Sequence, residues 1–336
     1  MFGKKGKITI TLVCICCIVL ATVGGVLSAK TVANLYLGDE ISLESLDNQA
    51  ESVGVVNILL LGVDEGGMRS DTIMLVSLNG RTGKVNILSI PRDTRVLVGK
   101  HYQKINAAIG IGAQEVRKGN LKEPEELSVQ KVKLLTGLPI HYFASVDFDG
   151  FKEIIDALDG VDFDVPFDMD YDDPAQNLHI HLKKGMQHLD GQAAHDFVRF
   201  RKGNAGHKGY ATGDLGRIDA QQAFIKALIA QKVTPKYLLK ADEIFDVIRQ
   251  NVRTNYTAKD LIRHLGIIKN ITSDDVSMYQ LPGEPKTIDG VSYVLCDDAA
   301  TAELVRTVFS PSAETEKADT ADDSTQTDKK TEKKDK

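Results

Sequence analysis

The most apolar stretch of the chain comes first. Ile8 to Ala29 carries no charge and has the length, about 20 residues, that crosses a bilayer as a helix. Lys4, Lys5 and Lys7 stand before it, and Asp39, Glu40, Glu44, Asp47 and Glu51 follow it. That asymmetry leaves the N-terminus in the cytoplasm and the bulk of the protein outside. A cleaved signal peptide would have a shorter apolar region ending in a small-x-small site, and Ser28-Ala-Lys30 is a poor version of one. The expectation is a retained signal-anchor over residues 8–29, with cytoplasmic residues 1–7 before it and a stalk over residues 30–52 after it.

Beyond the stalk the pattern alternates between strand-like and helix-like segments. Val53 to Val63 is a nearly continuous apolar run, as in a strand buried on both faces. Thr72 to Leu78 and Lys84 to Ile90 flank Asn79-Gly-Arg-Thr-Gly83 and predict a hairpin. Pro91-Arg-Asp-Thr94 then stops the ladder and places Arg92 and Asp93 at the sheet's edge. Helices are expected from Lys104 onward and over Glu125 to Thr136. A strand follows over Tyr142 to Phe148, a helix over Gly150 to Leu158 and a strand over Val161 to Val165. Asp168 to Asp173 reads as an exposed acidic loop, and Gly185 to Gly191 as a turn into a helix through His195. Further helices are expected over Arg217 to Val233, Ala241 to Arg249, Thr257 to Ile268 and Ala299 to Phe309. Two strands, Val276 to Leu281 and Tyr293 to Cys296, lie among these last helices. The fold class is α/β, a mixed central sheet flanked by helices, with ligands expected at charged loops on strand ends. The domain spans residues 53–309, with a core over 53–232. Residues 310–336 contain no large apolar side chain and form an expected disordered tail.

Composition narrows the function. With 42% hydrophobic and 26% charged residues the chain is of the folding kind. A net charge of -6 excludes a general nucleic-acid binder, which needs a basic face, but permits a local basic pocket. Cys14, Cys16 and Cys17 lie in the apolar run and Cys296 stands alone, so there is no disulfide framework.

The chemistry concentrates around Asp196-Phe-Val-Arg-Phe-Arg201. An extended backbone there would put Arg199 and Arg201 on one face and Val198 and Phe200 on the other. A glycine-rich loop with Gly203, Gly206, Gly209 and Gly213 leads to Asp214, Arg217 and Gln221, the last two on one helical face. Guanidiniums grip phosphates bidentately, so the group suits a polyanion; the competing interpretation is a solvated charged edge. Asp64, Arg69, Asp71 and Arg92 sit at other predicted strand ends. Carboxylates beside arginines are what phosphoryl chemistry uses, with a divalent cation bridging phosphate oxygens. Arg69 has a simpler explanation as the partner of Asp71 or Glu65, and Asp93 as a turn cap. His188, His195 and His207 are too scattered for a metal site and read as structural or exposed. His179-Ile-His181 would face one way in a strand, a weak metal signal. There is no Gly-x-Ser-x-Gly motif and no phosphate-binding Gly-Lys-Ser/Thr loop, and Cys296 has no histidine near it in sequence.

Several motifs, in order, resemble the LytR-CpsA-Psr (LCP) enzymes of Gram-positive bacteria. They are Asn57-Ile-Leu-Leu-Leu-Gly-Val-Asp64, Arg69-Ser-Asp-Thr72, Ser89-Ile-Pro-Arg-Asp-Thr94, Lys104-Ile-Asn-Ala-Ala108, Leu189-Asp-Gly191, Val198-Arg-Phe-Arg201 and Gly216-Arg217 with Gln221-Gln222. The resemblance implies a membrane transferase of cell wall biogenesis. Such an enzyme moves a glycopolymer (capsule, teichoic acid or another wall polysaccharide) from a polyprenyl-pyrophosphate carrier to peptidoglycan, usually with Mg2+. It also implies an apolar tunnel for the prenyl chain with the pyrophosphate at its charged mouth. Carried over by motif, Asp64 and Asp71 are metal ligands, and Arg92, Arg199, Arg201, Arg217 and Gln221 bind pyrophosphate. Arg92, Asp64, Asp71 and Asp214 form the catalytic group. The family usually has a second arginine just before the paired glutamines, where this chain has Ala220, and the loop from Arg201 to Arg217 is long. Competing interpretations are a polyprenyl-pyrophosphate phosphatase and a non-catalytic lipid-binding regulator.

Overall fold

Nine residues of nearly unbroken apolar sequence, Val55–Val63, form β1. The strand lacks alternation because both of its faces are covered: Val56, Ile58 and Leu60 enter one core, and Leu59, Leu61 and Val63 the other. This computed structural model describes residues 54–174, 178–204, 209–210, 214–232, 241–257, 260, 263–264 and 271–310. The expected anchor, the stalk and the tail beyond Ser310 lie outside the described residues, among which no helix is long and apolar enough to cross a membrane.

Antiparallel to β1 runs β2 (Ser70–Asn79), and antiparallel to that runs β3 (Val85–Ser89), closed by the expected hairpin. β4 (Arg95–Val98) and β5 (His101–Lys104) form a small hairpin. A 3-10 turn over Ile105–Ala107 then leads to α1 (Ala108–Arg117) and α2 (Glu125–Thr136). β6 (Tyr142–Val146) pairs parallel with β1. It ends two residues before its predicted end because Asp147 caps α3 (Phe148–Ala157), accepting from Gly150 N at 2.9 Å.

Next come β7 (Val161–Val165), β8 (Met169–Asp173), β9 (Leu178–Leu182) and β10 (Gly185–Leu189). β8 pairs with β9, and β10 with β7. Two expectations change here. Asp168 to Asp173 is largely a strand, and Gly185 to Leu189 is another. In both, alternate residues face solvent, so acids and histidines occupy one side without breaking the ladder. The remaining elements are α4 (Gly191–Arg199), α5 (Asp214–Lys232), α6 (Ala241–Asn251), β11 (Val252–Thr254), β12 (Val276–Gln280), β13 (Gly283–Ile288), β14 (Val291–Cys296) and α7 (Asp298–Leu304). The chain finishes in a π-helical turn over Val305–Phe309. Of the helix expected over Thr257 to Ile268, Thr257, Asp260, Arg263 and His264 are described; the last three are helical and Thr257 is not.

The central sheet has the order β11-β6-β1-β2-β3-β12 and mixes parallel with antiparallel pairs. One face packs on α3, α4, α5 and α6 through Phe151, Ile154, Phe197, Phe224, Leu228 and Ile248. The other packs on Ile105, Ile109, Val132, Leu138 and Phe309. Gly191 allows α4 to touch α3. A Cβ there would lie 2.3 Å from Lys152 O, which no packed structure tolerates.

Beside β6, Tyr142, Tyr256 and His264 form an aromatic cluster. The Tyr142 and Tyr256 rings are 4.6 Å apart, and Tyr256 Oη is 2.6 Å from His264 Nδ1. His264 is 2% exposed, and that burial pushes its pKa down to about 4 from 6.5. The folded state therefore keeps this ring neutral where the unfolded chain would already bind a proton. Stability is full above pH 6.5 and is lost as pH falls from there toward 4, by up to about 3 kcal/mol. The expected result is a thermal midpoint that drops between pH 7 and 4.5, with a clearly shallower drop in His264→Gln. Parallel curves for the two proteins would show that His264 titrates normally.

Candidate active site

The site begins with a strand irregularity. Gly62 pairs with Thr72 and Val63 with Ser70, so Asp71 is an extra residue on β2 opposite that step. Such a bulge re-aims a side chain at the end of a strand. Asp71 is 9% exposed, and its pKa rises to about 7. Burial is the main cause and the charge of nearby Asp64 the second, with a hydrogen bond from Asn106 and the charge of Arg69 opposing them. Asp64 closes the loop after β1, its Oδ1 accepting from Met68 N at 2.8 Å and Arg69 N at 3.0 Å. That loop rests on α1 at Gly110, where a Cβ would come within 2.5 Å of Met68 O.

Arg92 leaves β3 through the Pro91–Thr94 turn, in which Thr94 N donates to Pro91 O at 2.9 Å. Its Nη1 lies 3.4 Å from Asp71 Oδ1. This is long for a charge-assisted bond, which is why the arginine does not bring the Asp71 carboxyl down against burial and Asp64. Asp93, expected to cap a turn, instead binds Lys104 Nζ at 2.8 Å, with Arg92 Nε 3.9 Å away on its other oxygen. Lys104 and the buried Asn106 therefore belong to the site, although the sequence offers them only as the start of a helix.

The second arm comes from α4, where the extended-strand expectation for Arg199 and Arg201 fails. Asp190 caps this helix, accepting from Ala193 N at 2.8 Å, and helical backbone continues through Arg199 before turning extended at Phe200. Val198 and Phe200 are buried as expected, but across a helix end rather than on one face of a strand. Arg199 stacks 4.7 Å above the Phe148 ring and contacts His195 Nε2 at 3.4 Å. Arginine only donates, so Nε2 accepts and the His195 proton sits on Nδ1, 3.1 Å from Asp196 Oδ1. Burial holds the His195 pKa below its usual value, in keeping with that neutral ring. His195 thus positions Arg199, a role missed in the sequence although their spacing of four is visible. Burial also lowers the Arg199 pKa, opposed by the charges of Asp196, Asp173, Asp71 and Tyr171.

Asp64, Asp71, Arg92 and Arg199 are therefore brought together. Arg201 lies in the exposed strap after α4, and Arg69 is exposed as well. Among the described residues Arg69 has no ion pair with Asp71 or Glu65 and acts on Asp71 through its charge alone. Asp214, Arg217 and Gln221 fall on α5, their side chains outside the described part of the structure; His207 is likewise outside it. Beside Asp64 opens a cleft of about 490 Å³ lined by Glu65, Glu125, Ser145, Asp147, Asn251 and Arg253 among others. Glu125 is 1% exposed; its Oε1 accepts from Ser145 Oγ at 2.6 Å and Arg253 Nε at 3.1 Å. Its Oε2 has no hydrogen-bond partner among the described residues.

Known proteins share this arrangement of elements. The LytR_cpsA_psr family model matches residues 28–309. TagV of Bacillus subtilis (strain 168), a polyisoprenyl-teichoic acid--peptidoglycan teichoic acid transferase, is 32% identical over 261 residues, 74% of this chain and 62% of TagV. TagU of Oceanobacillus iheyensis, with the same activity in its name, is 36% identical over 254 residues, 72% of each protein. The crystal structure of B. subtilis TagV aligns with a TM-score of 0.58 at 31% identity, covering 76% of this chain and 95% of that one. On the family match and the relatives together, this chain belongs to the LytR_cpsA_psr family.

Proposed function

We propose that this protein transfers a glycopolymer from a polyprenyl-pyrophosphate carrier to a hydroxyl of peptidoglycan. The observation that carries the proposal is the convergence of Arg92 and Arg199 on the buried carboxylate Asp71, with Asp64 beside it. The teichoic acid transferases among its relatives support the same substrate class. In this proposal the acceptor oxygen attacks the phosphorus attached to the polymer's sugar. The bond from that phosphorus to the bridging oxygen breaks, polyprenyl phosphate leaves, and the polymer ends on the wall through a phosphodiester. Arg92 and Arg199, with Arg201, Arg217 and Gln221 from the strap and α5, hold the pyrophosphate and offset its growing charge. Asp64, Asp71 or Asp214 takes the acceptor's proton.

The donor set fits Mg2+. Two carboxylates, one buried and raised to about 7 partly by the other's charge, form a pair that a cation would relieve. Asp64 and Asp71 would hold the ion, which when bound supplies Lewis-acid stabilisation to phosphate oxygens. The cleft beside Asp64 is of a size that takes a small organic ligand, which favours transfer to a sugar over hydrolysis by water.

The placement proposed is a single-pass membrane protein with its catalytic domain outside the cell. Incubation of the full chain with a polyprenyl-pyrophosphate-linked polymer and peptidoglycan is expected to yield polymer bound to the wall and polyprenyl phosphate. Release of free phosphorylated polymer with or without peptidoglycan would favour the phosphatase instead. Protection of the domain from protease in intact protoplasts would overturn the topology.

A further inference from the structure

The exposed face of the β8–β9 hairpin carries a second set of metal-ligand side chains. Along β9, Leu178, Ile180 and Leu182 are buried, while His179 and His181 both face solvent. Across the pair, Asp172 stands opposite His179 and Asp170 opposite His181. His181 Nδ1 is hydrogen-bonded to Asp170 Oδ1 at 2.9 Å, and its Nε2 lies 3.5 Å from Asp172 Oδ1. His179 Nδ1 is 2.5 Å from the same Asp172 oxygen. The ligand atoms of Asp172, His179 and His181 all lie within 4.8 Å of one another.

We propose that Asp172, His179 and His181 form a Zn2+ site, with Asp170 orienting His181. Tetrahedral Zn2+ bonds of about 2.0–2.2 Å set neighbouring ligand atoms about 3.3–3.6 Å apart. The edge from Asp172 to His181 already has that length. The shorter edge to His179 is a hydrogen bond whose proton the metal replaces, and it lengthens on binding. Asp170 accepts from His181 Nδ1–H and so leaves Nε2 unprotonated and able to bind a metal beside Asp172, the carboxylate–histidine–metal arrangement that fixes ligand tautomers. The pair of His188 and Asp162, 2.8 Å apart on β10 and β7, has the same cross-strand geometry but no third ligand among the described residues. Two imidazoles and one carboxylate suit Zn2+ and disfavour Mg2+, which prefers oxygen donors. The fourth position takes water.

The site is tied to the arginine arm through backbone. Asn204, three residues after Arg201, accepts from Asp172 N at 2.6 Å and donates to Asp172 O at 3.1 Å. On the opposite side of β8, Tyr171 Oη donates to Asp173 Oδ2 at 3.2 Å, and both residues act on the Arg199 guanidinium. A Zn2+ clip at Asp172 therefore pins the strand that carries these contacts. Zn2+ binding itself does not depend on the transferase proposal.

Titration of the full chain in detergent with Zn2+ against a chromophoric chelator tests the site. One Zn2+ per chain is expected, retained in excess Mg2+ and in Asp64→Asn and Asp71→Asn. Asp170→Asn should weaken it about 10- to 100-fold, and the double variant His179→Ala with His181→Ala should abolish it. These side chains are exposed, so the variants should keep the wild-type circular dichroism and melt like the wild type in chelator. Zn2+ should raise the wild-type thermal midpoint and leave the double variant's unchanged. No binding by the wild type, or equal binding by the double variant, would overturn the proposal.

Discussion

Replacing Arg92 with methionine is expected to slow glycopolymer transfer by about two to three decades, the usual cost of losing one preorganised donor to developing charge. The guanidinium is 13% exposed, stands 3.4 Å from the raised carboxyl of Asp71, and is held by a proline turn whose backbone is itself hydrogen-bonded. It is a fixed cation, and its contact to Asp71 is long. Arg92→Lys keeps the charge but loses the planar fork. A bidentate charge-assisted contact is worth about 1.5–3 kcal/mol, which is about one to two decades in rate. Lys202→Ala is the control, an exposed cation on the strap next to Arg201, and should stay within about threefold of wild type. Assays at saturating lipid-linked donor separate rate from affinity, and melting curves check that each variant is folded. A wild-type rate in Arg92→Lys would remove this residue from the pyrophosphate clamp.

What the sequence revealed and what it hid follow from burial. β1, β2 and β3 were legible because a strand covered on both faces must be apolar nearly throughout, and few other structures are. β8 was not, because Met169-Asp-Tyr-Asp-Asp173 has one solvent face lined with acid and only Met169 fully buried. β13 was hidden more completely. Glu284-Pro-Lys-Thr287 is exposed on every residue, and the strand is defined by its pairing with β14 alone. At the site, motifs located Asp64, Asp71 and Arg92 without revealing how they meet. The bulge that turns Asp71 inward depends on register between two strands, which no local pattern encodes. For Arg199 the alternation with apolar residues pointed to a strand, yet an Asp190 cap and buried Ala194, Phe197 and Val198 mark a helix. The helical signal was present, and the cap decided it.

Phe197 is where that helix is anchored, and Phe197→Ala is expected to have the largest effect on stability of any single truncation in α4. The side chain is 1% exposed, with its ring 4.7 Å from Phe163 in an edge contact and 5.7 Å from Phe224 in a stack. It thus joins α4 to β7 and α5 at one point beneath the sheet. Truncation removes a buried ring and leaves a cavity walled by two other rings, neither of which can swing in without vacating its own place. Phenylalanine-to-alanine changes in such settings cost about 3–5 kcal/mol, a fall of roughly 10 °C in thermal midpoint for a domain of this size. Phe197→Leu keeps most of the volume and should cost less than half as much. Arg199 lies two residues on, at the helix end, so Phe197→Ala should also weaken binding of the lipid-linked donor well below its melting temperature, while Phe197→Leu should bind nearly normally. Melting curves and donor affinities for the two variants decide the matter. If Phe197→Ala melts within a degree or two of wild type, α4 is held by its cap and by Gly191 rather than by the aromatic cluster.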